Sequence, residues 1–461
     1  MSAPVEQNVP QPSVTNQPKK NVSWIFIPFV ALILLFLGVI IGGFYFLNKR
    51  SSDTKDTTSQ VVTLDEQKAA THLSKILDTK DAYWQRMFRL FWNDVEKQQG
   101  EFDWSVPDER MEEFMDEDAY PVITVEPFAN WDQDACHGDE YISEFDSKKG
   151  GTVKVGKPCD MTAYEQFLTK SVERYDGDGV NDMPDLTVPV KYWAIVNEPS
   201  MQDEPESKDE NVKFFMGTPQ EYVDILKSSY EVIKSADPEA KVLQGGMAGL
   251  SSDMLVFWRK VFDLGGGEYF DIANIHSIDT DEYREDMHIF SFKKILKEYE
   301  LEDKPIWMTE VQFGGLGEEP QDRDSFDTLL AKATVVSLAL GVEKLFYIQN
   351  WVYWDEYNLE ESSTHNVYLN LVDKLNYFDE VTIIKEEYIK HSGDSDGIEV
   401  TLGQYKFSYK NNEIYVLWGE GAIPQEITGK VTVTDMSGES EIIGAEDIVL
   451  SEKPIFVEMK E

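Results

Sequence analysis

The chain has 461 residues, 12% of them aromatic, and carries 86 acidic against 42 basic side chains for a formal charge of −44. That length admits a large core plus an accessory domain, and the aromatic content excludes a chain that is disordered throughout. The acidity repels nucleic acid and anionic lipid, so nucleic-acid partners are excluded and a neutral partner is the easiest to accommodate.

Residues 1–23 are rich in Pro, Gln, Asn and Ser and predict a disordered tail. Residues 24–47, W-I-F-I-P-F-V-A-L-I-L-L-F-L-G-V-I-I-G-G-F-Y-F-L, hold no charge and are long enough at helical rise to span a bilayer with some tilt. A cleaved signal peptide is the competing reading. Phe44, Tyr45 and Phe46, however, lead into Asn48-Lys49-Arg50 without a small-x-small cleavage pattern, so an uncleaved anchor is expected. Residues 48–60 are a polar linker. The chain's two cysteines, Cys136 and Cys159, lie in one polar, Gly-rich segment. They read either as unrelated free thiols or, the preferred reading, as a disulfide formed outside the cytosol. The expectation is a single-pass cell-membrane protein with an inner tail and an extracellular C-terminal bulk.

Short apolar runs then alternate with longer amphipathic stretches. The runs are Met87–Phe91, Tyr120–Val125, Tyr192–Val196, Ala240–Gln244, Phe270–Ile275, Pro305–Met308 and Leu345–Ile348. Thr162–Arg174, Pro219–Ala236, Asp253–Phe262, Phe290–Tyr299 and Ser325–Leu340 read as helices between them. Repeated βα units predict a parallel sheet, and eight of them over residues 61–393 fit an α/β (β/α)8 TIM barrel. The only first strand on offer is Val61–Leu64, followed by a helix over Asp65–Leu77. From residue 394 to 461 the pattern changes to I-E-V-T-L, Y-K-F-S-Y, I-Y-V-L-W, K-V-T-V-T and P-I-F-V-E, with Asn411-Asn412 and Ser437-Gly438 as turns. This predicts a small C-terminal β-sandwich domain.

Two strand-like runs end in a glutamate. K-Y-W-A-I-V-N-E-P-S stops at Asn197, Glu198 and Pro199, and K-P-I-W-M-T-E-V ends its run at Glu310. Two further runs fall between them, which assigns the glutamates to the fourth and seventh barrel strands. In such barrels reactive side chains project from the C-terminal ends of strands. A lone strand-end glutamate is an ordinary cap or surface charge. A facing pair is what glycoside cleavage needs, one carboxyl protonated and the other ionised.

These motifs resemble the glycoside hydrolase clan A superfamily, whose TIM barrels carry an Asn-Glu acid/base motif on strand four and a nucleophilic glutamate on strand seven. R-L-F-W-N-D-V-E-K-Q-Q-G-E-F-D-W, residues 89–104, is similar to the strand-two segment of family 39-type members. The resemblance covers roughly residues 80–393, and the C-terminal β-domain is similar to those appended in families such as 39 and 30. It implies a retaining enzyme acting on an oligo- or polysaccharide with no required cofactor. Glu198 would be the acid/base, Glu310 the nucleophile, and Asn197 a partner of the sugar 2-hydroxyl. Arg89 would hold the nucleophile ionised, its alternative being a structural ion pair. His276 matches a sixth-strand polar ring that contacts the catalytic pair; it reads equally as a satisfied core histidine. Trp351 and Trp131 would be aromatic platforms for sugar rings, with core packing as the alternative. The long segment between strands three and four, which holds both cysteines, opens on the active-site face.

Y-D-G-D-G-V-N-D, residues 175–182, gathers Asp176, Asp178 and Asp182 around glycines. It reads as a structural Ca²⁺ loop or as a solvated turn at a helix end, and lacks the twelve-residue EF-hand pattern. Two rival functions share the barrel: a surface polysaccharide-binding protein without activity, favoured by the weak first strand, and a transglycosylase using the same residues.

Overall fold

The computed structural model describes residues 61–76, 79–143, 154–201, 213–250, 252–279, 284–313, 322–348, 363–391 and 397–460. The expected membrane segment 24–47 lies outside the described residues. Among the described residues no helix is long and apolar enough to cross a membrane.

Parallel strands β1 (Trp84–Phe91), β2 (Tyr120–Glu126), β3 (Tyr192–Ile195) and β4 (Lys241–Gln244) form one ladder, and β5 (Ala273–Asp279), β6 (Ile306–Phe313) and β7 (Val342–Tyr347) a second. Parallel bridges Leu243–Ile272 and Met247–Ile275 join β4 to β5. The ring closes through an extended stretch in which Leu73 bridges Leu345 of β7 and Ser74 bridges Trp84 of β1. Counting that stretch as the first stave, this is an eight-stave parallel barrel.

The first stave is therefore not Val61–Leu64, and the helix expected over Asp65–Leu77 is a single turn, Glu66–Ala69, capped by the Asp65 side chain. The register reflects which residues are buried: Leu73 and Ile76 are inaccessible to solvent, whereas Val61 is exposed. The stave's backbone is tied partly by a side chain, since Asn376 Oδ1 accepts from His72 N (2.8 Å) and Leu73 N (2.6 Å). A strand held this way needs no run of apolar residues, which is why T-H-L-S-K does not read as one.

Helices fill the connections. Pro219–Ala236 begins at a capping box, Thr218 and Glu221 each accepting from the other's backbone N–H, with proline in the first turn. Inside the barrel, Trp84, Tyr120, Val122, Ala194, Leu243, Ile272, Trp307 and Phe346 pack into an apolar floor layer.

The C-terminal β-domain is an antiparallel sheet of β8 (Glu380–Lys390), β9 (Ile398–Tyr409), β10 (Asn412–Trp418), β11 (Lys430–Thr434), β12 (Ser440–Gly444) and β13 (Ile455–Met459), ordered β12-β11-β13-β10-β9-β8. It begins at β8 (Glu380–Lys390), earlier than residue 394, because this edge strand pairs along β9 (Ile398–Tyr409). β8 is mostly exposed, so it carries little apolar pattern. Side chains alternate on β10 (Asn412–Trp418): Tyr415 and Leu417 join a small core with Val431, Ala445 and Val457, while Val416 and Trp418 join the core shared with the barrel.

Candidate active site

The fourth stave stops because its backbone turns. Val196 (φ +62°) and Glu198 (φ +37°) both lie in the left-handed region, at a cost of order 1–3 kcal/mol each. Val196 is β-branched and is a true outlier there. Two glycines make room. A Cβ at Gly245 would lie 2.2 Å from Val196 O, and one at Gly246 would lie 2.0 Å from His276 Nε2.

Two bulges aim the remaining groups. On β1 the register against β2 slips between Arg86 and Phe88, so Arg86 pairs with Val122 and Arg89 with Thr124. Val122 and Thr124 share a face; the extra residue therefore turns both arginines into the barrel, Arg86 the lower and Arg89 the higher. On β6 the register against β5 passes from Met308 to Glu310, leaving Thr309 as the extra residue. Thr309 and Glu310 both reach His276 as a result.

The groups converge tightly. His276 Nδ1 lies 2.6 Å from Glu198 Oε1 and 3.8 Å from Glu310 Oε1. Arg86 donates to Glu310 Oε1 through one terminal nitrogen and to Asn197 Oδ1 (2.7 Å) through the other. Asn197, Glu198 and His276 are buried, and the Glu310 side chain is 16% exposed. Burial pushes the Glu310 carboxyl up, but Arg86, His276 and Arg89 outweigh it and hold the group below the ordinary glutamate value.

Arg89 helps to lower the Glu310 carboxyl, as the sequence reading expects, but from a distance. Arg89 Nε pairs with Glu126 (2.7 Å), and the guanidinium that grips Glu310 belongs to Arg86, one step deeper in the barrel. Trp131 is half-buried, edge-on to Trp92, and its indole N–H donates to Glu96 O (2.9 Å), which is a packing arrangement. Trp351 lies outside the described residues. Cys136 and Cys159 form a disulfide. The same loop is tied again by Asp132, which accepts from Cys159 N (2.9 Å) and Asp160 N (2.7 Å).

Three clusters place metal-donor atoms within 4.8 Å of one another among the described residues. In the first, with His137, both cysteines are spent in the disulfide. In the second, Glu198, His276 and Glu310, the Arg86 cation already occupies a Glu310 oxygen and would oppose a metal ion. In the third, Asp176, Asp178 and Asp182, carboxylate oxygens accept from backbone N–H groups of Gly177, Asp178, Gly179 and Val180 within the loop. That pattern is one a self-capped turn also makes.

Arg86, Thr309 and the Gly245–Gly246 pair escape the sequence reading. The signal present is W-Q-R-M-F-R, two arginines three apart in an apolar run, which strict alternation would put on opposite faces.

No family model matches this chain, and no curated protein matches it by sequence. Solved structures do. A family 39 glycoside hydrolase from Bacteroides cellulosilyticus WH2 superposes with a TM-score of 0.54 at 15% identity, covering 83% of this chain and 76% of its own. A glucosidase from Croceicoccus marinus gives 0.51 at 11% identity, covering 82% and 89%. At such identities the likeness is one of fold. The chain has the barrel-plus-β-domain fold of clan A glycoside hydrolases.

Proposed function

We propose that the protein is a retaining β-glycosidase or glycanase whose acid/base is Glu198 and whose nucleophile is Glu310. The observation that carries this reading is the unequal treatment of two close carboxylates. An oxygen of each lies within 4.8 Å of the other. This short approach is in keeping with double displacement, for which a carboxyl separation of about 5–5.5 Å is typical. One carboxylate is clamped by a guanidinium, while the other faces a histidine nitrogen.

In the first step Glu310 attacks the anomeric carbon as the glycosidic C–O bond breaks, and the departing oxygen takes the proton of Glu198. In the second, Glu198 takes a proton from water, whose oxygen attacks the same carbon and releases Glu310. Asn197 is positioned to help: Arg86 holds its oxygen, so the amide meets a sugar hydroxyl as a donor. Arg89, two pairing positions higher on the same strand and flanked by Phe91 and Phe214, belongs to the substrate-facing wall in this reading. Trp351 keeps its proposed role as a sugar platform.

The same reading makes residues 24–47 an uncleaved membrane anchor with the barrel outside the cell; the disulfide supports an oxidising compartment. A structural Ca²⁺ at Asp176, Asp178 and Asp182 is part of it. The non-catalytic rival rested on a weak first strand, and closure through Leu73–Ser74 removes that support.

The test is intact-mass spectrometry of the full chain incubated with activated 2-deoxy-2-fluoro β-glycosides, beside Glu310→Gln. A stable adduct on the parent protein alone is expected, with turnover in Glu310→Gln reduced about 10⁴-fold or more. A folded parent that takes no adduct from any sugar in the panel overturns the reading.

A further inference from the structure

Behind Glu198 runs a chain of buried hydrogen bonds whose direction is set by the backbone. Gln244 Oε1 accepts from Asn274 N (2.8 Å), and Gln244 Nε2 donates to Asn274 O (2.5 Å). Asn274 Nδ2 donates in turn to Gln244 O (3.3 Å). Backbone N–H and C=O groups have only one role each, so both amides are fixed in orientation. Asn274 Oδ1 is therefore the end that meets Thr309 Oγ1 at 2.8 Å, and the hydroxyl must donate to it. Having given its proton to Asn274, the Thr309 oxygen can only accept from His276 Nε2, 3.0 Å away. The imidazole is held in place besides, because Gly246 lies flush against its Nε2 edge.

We infer that Thr309, oriented by Asn274 and Gln244, is a positioning residue that keeps the proton of neutral His276 on Nε2 and so turns the Nδ1 lone pair toward Glu198. The consequence lies at the 2.6 Å contact between Nδ1 and Glu198 Oε1. A lone pair there accepts the O–H of a protonated Glu198 and repels an ionised one. In this tautomer one proton sits between the two atoms, whether it rests on Glu198 or on the ring. The arrangement ruled out is neutral Nδ1–H beside ionised Glu198, which would deprive the acid of its proton. Among the described residues, the charged groups facing this pair are Glu310 from β6 and, beyond it, Arg86 and Arg89 from β1; the segment after β4 places Gly246 against the ring. After the proton has gone to the leaving group, the same lone pair faces Glu198 as it takes the proton of the incoming water. One fixed tautomer thus serves both half-reactions.

This inference rests on the acid role proposed for Glu198, and its test separates the two. The full chain, labelled with ¹⁵N-histidine, has six histidines, and His276 is assigned by its loss in His276→Asn. Long-range ¹H–¹⁵N spectra of the parent are expected to show a protonated Nε2 at neutral pH, with no substrate involved. In Thr309→Val the proton is expected to move to Nδ1, and the alkaline limb of kcat/KM on a reactive aryl β-glycoside to fall by about one pH unit, tenfold in rate on that side. Thr309→Ser should restore both. A bare Nε2 in the parent overturns the inference even if the enzyme is active. So does a folded Thr309→Val whose tautomer and alkaline limb are unchanged. A parent with protonated Nε2 and no activity leaves the relay standing and removes the glycosidase reading instead.

Discussion

The mouth and the floor of the barrel both bury ionisable groups, and they treat them in opposite ways. At the floor, burial pushes the Lys344 ammonium down to about 7 against a smaller opposing effect of Glu343. Its Nζ is met by carbonyl oxygens of Ala69 (2.8 Å) and Thr71 (2.5 Å) and lies over the rings of Trp84 and Trp307. Nearby, at the end of helix Met161–Tyr175, burial pushes the Asp176 carboxyl up to about 7, and Asp178 and Asp182 add to it. Both floor groups are driven toward neutrality. At the mouth, burial acts on Glu310 in the same sense and loses, because Arg86 grips the carboxylate directly. The left-handed Val196 and Glu198 and the Arg86 and Thr309 bulges cluster there too. Burial alone neutralises; at the mouth a paired counter-charge, aimed by an irregular backbone, keeps the buried Glu310 carboxylate ionised.

Removing Arg86 is the most direct way to break that difference. Arg86→Leu would remove the strongest influence opposing desolvation at Glu310, leaving His276 and Arg89 against it, and its carboxyl would rise. The acid limb of kcat/KM is then expected to move to higher pH, and kcat to fall about 10²–10³-fold, as when one preorganised donor is lost. Arg86→Lys keeps the charge but not the second bond to Asn197 and should recover part of the rate. Arg89→Leu, whose partner is Glu126, should shift the limb far less. Equal shifts in Arg86→Leu and Arg89→Leu would reverse the assignment made here.

That assignment marks the boundary of what the sequence makes legible. Glu198 and Glu310 end apolar runs at strand length, a signal that depends only on local burial, and they were readable. So were the disulfide pair and most staves. Arg86 was not, because a one-residue bulge inverts the facing of everything beyond it, and a bulge leaves no mark in composition. The first stave was missed for a related reason: Asn376, some 300 positions away, supplies hydrogen bonds that a sheet neighbour would otherwise supply. Thr309, Asn274 and Gln244 read as ordinary polar residues, and their meaning lies only in the direction of their bonds.

Lys344→Met sharpens the floor side. The folded-state value of about 7 lies below the 10.5 of a free lysine, so between these the unfolded chain binds more protons and stability rises with pH. The penalty of the buried charge is fully present below about 7 and is relieved as pH climbs toward 10.5. Subtracting the unfolding free energies of Lys344→Met from those of the parent should isolate a rising difference over that window, with kcat within about twofold of the parent. A flat difference would mean that the carbonyls of Ala69 and Thr71 keep the ammonium charged at little cost.

Asp176 should give the smallest effect, with the opposite sign. Its folded value of about 7 stands above the 3.8 of a free aspartate, so the native state holds the extra proton between them. Stability is fully present below about 3.8 and is lost as pH rises through 7. Asp176→Asn, which retains an oxygen for Asp178 N, should abolish that decline. A Ca²⁺ ion in the loop would have to displace the same proton, so its stabilisation should strengthen as pH passes 7. Melting curves at pH 8 with Ca²⁺ or with chelator test this: a rise of a few degrees with Ca²⁺, absent in Asp176→Asn, is expected. If Ca²⁺ leaves the midpoint unchanged while the proton-linked decline remains, the loop is a self-capped turn, and the floor neutralises Asp176 by burial as it does Lys344.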